Sequence, residues 1–271
     1  MALYGVISDI HGNREALLAV LACLDRREVD ALVCLGDIVG YNADSDECAA
    51  QMRDREALAI AGNHDLISIG LLGFERCPNK VIYSLKRTRR LLAPRTTAYL
   101  RSLPAHRVLE NRILIVHAGI RDVQQYVTTP AHILENAGHL RLDFPGLNIC
   151  LFGHVHRQKV YELNGGEVRE LTLAGPIVLR EDRVYFVNPG SVDAARKREH
   201  KLAEFALIDS DTLEVEFQRI AYNDGASEAK ALAGGYRIDP WTDRLYSLRR
   251  GLIGIPGLFS RMKNRLESRR G

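Results

Sequence analysis

Five short stretches of this chain set aspartate, asparagine or histidine at the end of an apolar run. Asp9-Ile10-His11 follows residues 3–8, Gly36-Asp37 follows 31–35, and Gly62-Asn63-His64-Asp65 follows 58–61. His117-Ala118-Gly119 follows 113–116, and Gly153-His154-Val155-His156 follows 148–152. Their side chains offer nitrogen and oxygen donors and no thiolate. Asp9, His11, Asp37, Asn63, His117, His154 and His156, with His64 beside them, exceed what one tetrahedral ion needs. The set suits two divalent first-row ions sharing a carboxylate, about 3.5–4 Å apart, as in two-metal phosphoester hydrolysis. In extended backbone, residues two apart point the same way, so Asp9 with His11, and His154 with His156, are expected to converge.

The elements that must position these residues follow from the same runs. A short apolar run bounded by turn residues reads as a buried strand, and ligand sites of open α/β sheets gather beyond the carboxyl ends of strands. Asn13 can cap a helix on which Ala16, Leu17, Val20, Leu21 and Leu24 recur at helical spacing, and residues 44–53 read as a second helix. The resulting β-α-β-α-β alternation implies parallel strands with right-handed crossovers. Residues 79–92 and 94–103 read as helices before a hairpin turning at Glu110-Asn111, and 129–137 as another helix. Beyond His156, strand patterns at 159–163, 168–173, 184–187, 203–208 and 213–219, with a hairpin turn at Asn164-Gly165-Gly166, imply a mostly antiparallel second half. A short helix over 226–233 ends at Gly234-Gly235. His106, His132, His139 and His200 are expected to be ordinary surface or packing histidines.

The ordered series Asp-x-His, Gly-Asp-x-x-Gly, Gly-Asn-His-Asp, His-x-Gly and Gly-His-x-His resembles the calcineurin-like metallophosphoesterases over residues 1–220. Ile38-Val39-Gly40-Tyr41 and Asn188-Pro189-Gly190-Ser191-Val192 are similar to the small prokaryotic, phosphodiesterase-type branch. The resemblance implies an α/β fold, an αββα four-layer sandwich of two mixed β-sheets flanked by helices. It places the domain at 1–222, with a basic, partly helical extension at 223–271. It also implies that Asp9, His11, Asp37 and His156 hold one divalent ion, and that Asp37 (bridging), Asn63, His117 and His154 hold the other. His64 would face the substrate, oriented by Asp65. The implied reaction is hydrolysis of a phosphate ester, with a phosphodiester or nucleotide favoured, by a metal-bridged hydroxide while His64 assists the leaving group. Mn2+ or Fe2+ head the candidate ions, and Zn2+, Ni2+ and Mg2+ also tolerate these donors. The protein-phosphatase branch carries Asp-Arg-Gly after its bridging aspartate and Glu after its Asn-His; here Val39-Gly40-Tyr41 and Asp65 stand there. Asp193-Ala194-Ala195 replaces the glycine and proline usual after Asn-Pro-Gly-Ser-Val. Two alternatives share these residues: a non-catalytic scaffold on the same fold, and a nuclease directed to nucleic acid by basic segments.

The 271 residues, 46% hydrophobic and 26% charged, suffice for one large α/β domain with an appendage. No apolar run reaches about 18 residues, so no transmembrane helix is expected. Residues 1–8 read as a strand rather than a leader, and five cysteines without a C-x-x-C pair suggest a reduced, cytoplasmic protein. Net charge is +3, concentrated in two places. Residues 74–112 hold ten basic against two acidic residues, and 241–271 hold eight against two. The first segment could attract an anionic substrate, a nucleotide or nucleic acid, and the second, basic and amphipathic, could lie on anionic lipid, grip nucleic acid or pack on a partner.

Overall fold

The first three apolar runs become parallel strands because both of their faces are covered, which is why they lack polar alternation. The structure, a computed structural model, describes residues 2–194 and 200–253. Its first half runs β1 (Leu3–Ile7), α1 (Arg14–Arg26), β2 (Ala31–Cys34), α2 (Ser45–Asp54), β3 (Leu58–Ala59), α3 (Asn63–Ser68), α4 (Asn79–Leu91) and α5 (Pro94–Ser102). Next come β4 (His106–Leu109), β5 (Ile113–Val116), α6 (Pro130–Asp143) and β6 (Ile149–Leu151). The remainder is β7 (Gln158–Asn164), β8 (Glu167–Glu170), β9 (Ile177–Val178), β10 (Val184–Pro189), β11 (Leu202–Asp209), β12 (Glu214–Ala221), α7 (Asp224–Ala233) and α8 (Pro240–Ile253).

Two six-stranded mixed sheets result, ordered β3-β2-β1-β11-β12-β9 and β4-β5-β6-β10-β7-β8. In the first, β1 runs parallel to β2 with Tyr4 opposite Ala31, and antiparallel to β11 with Leu3 opposite Asp209. In the second, β5, β6 and β10 are parallel neighbours, flanked by the antiparallel β4 and β7. Side-chain parity sorts the layers. Ile113 and Ile115 join Val6, Val33 and Tyr185 between the sheets, whereas Leu114 and Val116 face Ile133, Ala137 and Leu140 of α6. On the opposite outer face, Leu17, Leu21 and Leu24 of α1, Met52 of α2 and Leu100 of α5 cover the first sheet. The four layers are therefore helix, sheet, sheet, helix.

Asn13 caps α1, its side chain accepting from the Ala16 N–H, and Gly165 and Gly166 turn the β7–β8 hairpin with φ of 57° and 94°. Several boundaries differ from the sequence reading. Helix α6 continues to Asp143, because Leu140 still reaches the core. The strand expected over 168–173 ends at Glu170, and the two-residue β9 is too short for any periodic pattern to announce. Helix α7 packs against α1, and α8 against α4. Ala195 and the basic tail from 254 onward lie outside the described residues. Among the described residues no helix is long and apolar enough to cross a membrane.

Candidate metal centre

The carboxyl ends of β1, β2, β3, β5 and β6 meet along one seam between the sheets, and the expected donors converge there. They do not converge by extended alternation. Asp9, His11, Asp37, His154 and His156 all take left-handed backbone, with φ of 56°, 52°, 56°, 64° and 60°. Each strand has ended before its ligand, and the chain curls so that two side chains two residues apart turn to the same side. Left-handed backbone costs a non-glycine residue about 1–2 kcal/mol, so the neighbourhood must hold it. The Asp9 N–H donates to the Gly36 carbonyl (3.0 Å) and the His11 N–H to that of Asp37 (2.8 Å), knitting the first two loops together. Asn42 Nδ2 donates to the His11 carbonyl at 3.1 Å.

Each carboxylate is held by one oxygen and presents the other. Asp9 Oδ2 accepts from Ser8 Oγ (2.6 Å) and the His154 N–H (3.0 Å), while Oδ1 lies 3.1 Å from His156 Nε2. Asp37 Oδ1 accepts from the His64 N–H at 2.8 Å, while Oδ2 lies 3.4 Å from His117 Nε2 and 3.7 Å from His11 Nε2. This approach requires Gly62: a Cβ there would stand 2.1 Å from Asp37 Oδ1 and 2.3 Å from the Asp37 backbone nitrogen. His117 Nδ1 meets the Leu35 carbonyl at 2.7 Å, which turns Nε2 into the site, 3.0 Å from Asn63 Oδ1.

Three overlapping groups have donor atoms within 4.8 Å of one another: Asp9, His11 and His156; His11, Asp37 and His64; Asp37, His117 and His154. Asp9 Oδ1, Asp37 Oδ2 and His154 Nε2 are buried without a hydrogen-bond partner among the described residues. The Nε2 atoms of His11 and His156 face each other at 3.1 Å. Buried unpaired acceptors cost free energy unless a cation sits among them. These residues fit divalent metal ions, with Asp37 between two histidine groups.

Charge follows the same plan. Burial alone raises Asp9 and Asp37, but His156 beside Asp9, and His117 and His64 around Asp37, outweigh it and hold both below the usual carboxylate range. Burial lowers His117, yet Asp37 overcomes it and raises the imidazole to about 9. His154 falls to about 3 through burial and the His117 charge, and His11 falls well below its ordinary value through burial and His64.

Asp65 needs a correction. It does not orient the His64 ring: its oxygens accept from the backbone N–H groups of Gly62 (2.9 Å) and Val39 (3.1 Å), tying the start of α3 to the loop after Asp37. Burial and Asp37 push its carboxyl up to about 7. The His64 ring packs instead on His11 and Tyr41, at 4.5 Å from each centroid.

Residues from 188 to 193 close the site from behind, a role motif reading missed. Asn188 Nδ2 donates to the Gly153 carbonyl, Ser191 Oγ and the Asp193 N–H to the Asp9 carbonyl, and the Val192 N–H to that of Ser8. Asn13 Nδ2 donates to Asp193 Oδ1 at 2.8 Å, giving this departure from the usual motif a buried partner. The seam opens as a cleft of about 650 Å³, lined by Asp37, His64, His154 and His156 together with Arg157, Lys159, His200, Glu204 and Arg219. His200, expected to be an ordinary histidine, therefore lines the cleft, 3.3 Å from the buried Glu204. His106, by contrast, packs on Phe144, and His132 sits at the start of α6. Tyr41 and Tyr126 also line the cleft, the latter 4.3 Å from His154 between ring centroids.

The family model of the calcineurin-like phosphoesterase superfamily domain matches residues 2–213. The chain belongs to this superfamily. The uncharacterized protein MJ0912 of Methanocaldococcus jannaschii is 30% identical over 227 residues, covering 82% of this chain and 88% of that protein. A metallophosphoesterase of Sphaerobacter thermophilus superposes with a TM-score of 0.74 at 26% identity, covering 90% of this chain and 97% of that one. The hypothetical protein PH1004 of Pyrococcus horikoshii shares the fold, with a TM-score of 0.68 at 20% identity over the same shares. In the calcineurin-like phosphoesterase fold of this chain, all seven expected donors and His64 stand at the one seam.

Proposed function

We propose that this chain hydrolyses phosphate esters with two divalent metal ions, and that a phosphodiester or nucleotide is the substrate. The observation that carries the reading is Asp37 Oδ2, buried between His11 Nε2 at 3.7 Å on one side and His117 Nε2 at 3.4 Å on the other. Asp9, His11 and His156 would complete one ion's ligands, and Asn63, His117 and His154 the other's. Bound there, divalent ions would supply an activated water and neutralise phosphoryl charge.

The chain's own groups do the rest. Ser8 and the His154 N–H fix Asp9, and the His64 N–H fixes Asp37, so neither carboxylate must reorganise during reaction. His64 lines the cleft beside Asp37 and His11. Its ring, held by His11 and Tyr41, would donate a proton to the leaving oxygen. Among the lining cations, exposed Arg157 is the one placed to meet an anion, since Lys159 pairs with Glu170 and Arg219 with Glu204.

The nuclease alternative through residues 74–112 has fewer cations at its disposal than the sequence count suggests. Arg89, Arg101 and Arg107 bind the carbonyls of Ile67, Ile69 and Ala59, Arg76 pairs with Asp122, and Arg112 with Glu181 and the Ser210 carbonyl. Half of that basic cluster therefore braces the fold.

The test is hydrolysis by metal-stripped protein after adding back Mn2+, Zn2+, Ni2+ or Mg2+, on a simple diester, a simple monoester, cyclic nucleotides and single-stranded RNA. Metal-dependent turnover of a diester or nucleotide, lost in His64→Ala, is expected. No turnover with any ion, despite ions bound, would favour the scaffold.

A further inference from the structure

Helix α8 has two unlike faces. Its inner face docks on α4: Tyr246 joins the apolar cluster of Val81, Ile82 and Leu85, and Asn79 Nδ2 donates to Asp243 Oδ1 (3.1 Å) and Ser247 Oγ (2.9 Å). Its outer face carries Trp241, Leu245 and Leu248, at 71%, 45% and 60% exposure. The spacing i, i+4, i+7 aligns them in one stripe along the helix. Single exposed apolar residues are ordinary, but a stripe headed by tryptophan is a mark of contact with something apolar.

The surroundings are largely cationic, although the exposed Asp239 caps α8 beside Trp241. Arg244 lies exposed beside the stripe, and Lys80, Lys86 and Arg90 lie exposed on the adjoining α4, with Lys86 Nζ 5.3 Å over the Tyr246 ring. Beyond α8 the sequence of 254–271 interleaves Leu258, Phe259, Met262 and Leu266 with five basic residues against Glu267 alone.

We propose that α8 docks this protein on an anionic phospholipid surface. Trp241, Leu245 and Leu248 enter the boundary between headgroups and acyl chains, and the basic residues meet lipid phosphates. Apolar stripe and cationic flank together are what such a surface recognises. A second copy is disfavoured because it would bring two segments of like charge face to face, eight basic against two acidic residues in each. Nucleic acid is disfavoured because one tryptophan is no series of stacking platforms, and aliphatic side chains gain little from phosphate and sugar.

Trp241 is the chain's sole tryptophan, so its emission reports on this face directly. The full chain is mixed with phosphatidylcholine vesicles, or with vesicles containing about a third phosphatidylglycerol, at low and high salt. A blue shift, quenching by lipids brominated on their acyl chains, and co-sedimentation are expected with the anionic vesicles only, each weakening at high salt. Leu245→Glu with Leu248→Glu should reduce binding at least about tenfold, and Arg244→Glu, a surface change that leaves the stripe intact, should reduce it less. Circular dichroism confirms that the variants fold. Unchanged Trp241 emission with anionic vesicles would overturn the proposal. So would a blue shift that rises with protein concentration alone, which indicates self-association, or cation-driven binding to RNA without binding to vesicles.

Discussion

Asp65→Asn separates two ways in which a carboxylate beside a catalytic histidine can act. In the structure both Asp65 oxygens accept backbone N–H groups, from Gly62 and Val39, and neither contacts the His64 imidazole. An asparagine can accept from one of them through its carbonyl, but its NH2 group then faces the other buried N–H. Leaving one such group unpaired costs about 1–3 kcal/mol. Removing the charge works the other way, because burial and Asp37 already push Asp65 up to about 7, so some repulsion is relieved. A net loss of about 2 kcal/mol lowers Tm by about 4–8 °C in a chain of this size. The loop carrying Asp37 should loosen with it, reducing metal affinity. The assay pairs thermal unfolding with turnover of aryl phosphodiesters of increasing leaving-group pKa. Rates of Asp65→Asn should fall in parallel with those of the parent, whereas His64→Ala should fall most steeply for the poorest leaving groups. An unshifted Tm, with Asp65→Asn copying the steep profile of His64→Ala, would refute the backbone role.

Three further outcomes follow from named contacts. Gly62→Ala forces a Cβ within 2.3 Å of the Asp37 backbone nitrogen, so metal bound per chain should drop; parental metal content in the purified variant would contradict the close approach. In metal-free protein His117 is raised to about 9 from 6.5, so the stability it draws from Asp37 is fully present below about 6.5 and lost as pH rises through about 9. An ion at Nε2 must displace that proton, so metal affinity should climb between neutral pH and about 9, with proton release in calorimetry; equal affinity across that range would count against it. Leu140→Ala, in the part of α6 beyond residue 137, should cost about 2–5 kcal/mol in denaturant unfolding, and a cost near zero would place that turn outside the core.

Much of the site was legible because metal ligands at strand ends leave a local signature: an apolar run, then Asp, Asn or His beside glycine. The four-layer architecture followed from the same runs and the family resemblance. What sequence could not disclose is how the ligands are held. The left-handed turns at Asp9 and His11 depend on backbone partners at 36–37, and the Asp9 carbonyl on Ser191 and Asp193, some 180 residues away. Spacing alone suggested extended alternation, which gives the same convergence by the wrong geometry. Asp65 misled for a related reason: adjacency to His64 suggested a side-chain pair, while on α3 consecutive residues point in different directions. His200 follows no strand end, yet β11 begins only two residues later and carries it to the cleft. Helix α6 was read short because Gly138 and His139 interrupt the apolar spacing before Leu140 restores it.

The most direct measurement is activity against metal equivalents. Stripped protein is titrated with Mn2+ while bound ion and turnover of a simple phosphodiester are followed together, for the parent chain and for Asp37→Asn. Turnover that rises with the second equivalent, with two ions bound per parent chain and fewer on Asp37→Asn, is the expected result. Full turnover at one equivalent, or unchanged stoichiometry in Asp37→Asn, would contradict a centre built around a shared Asp37.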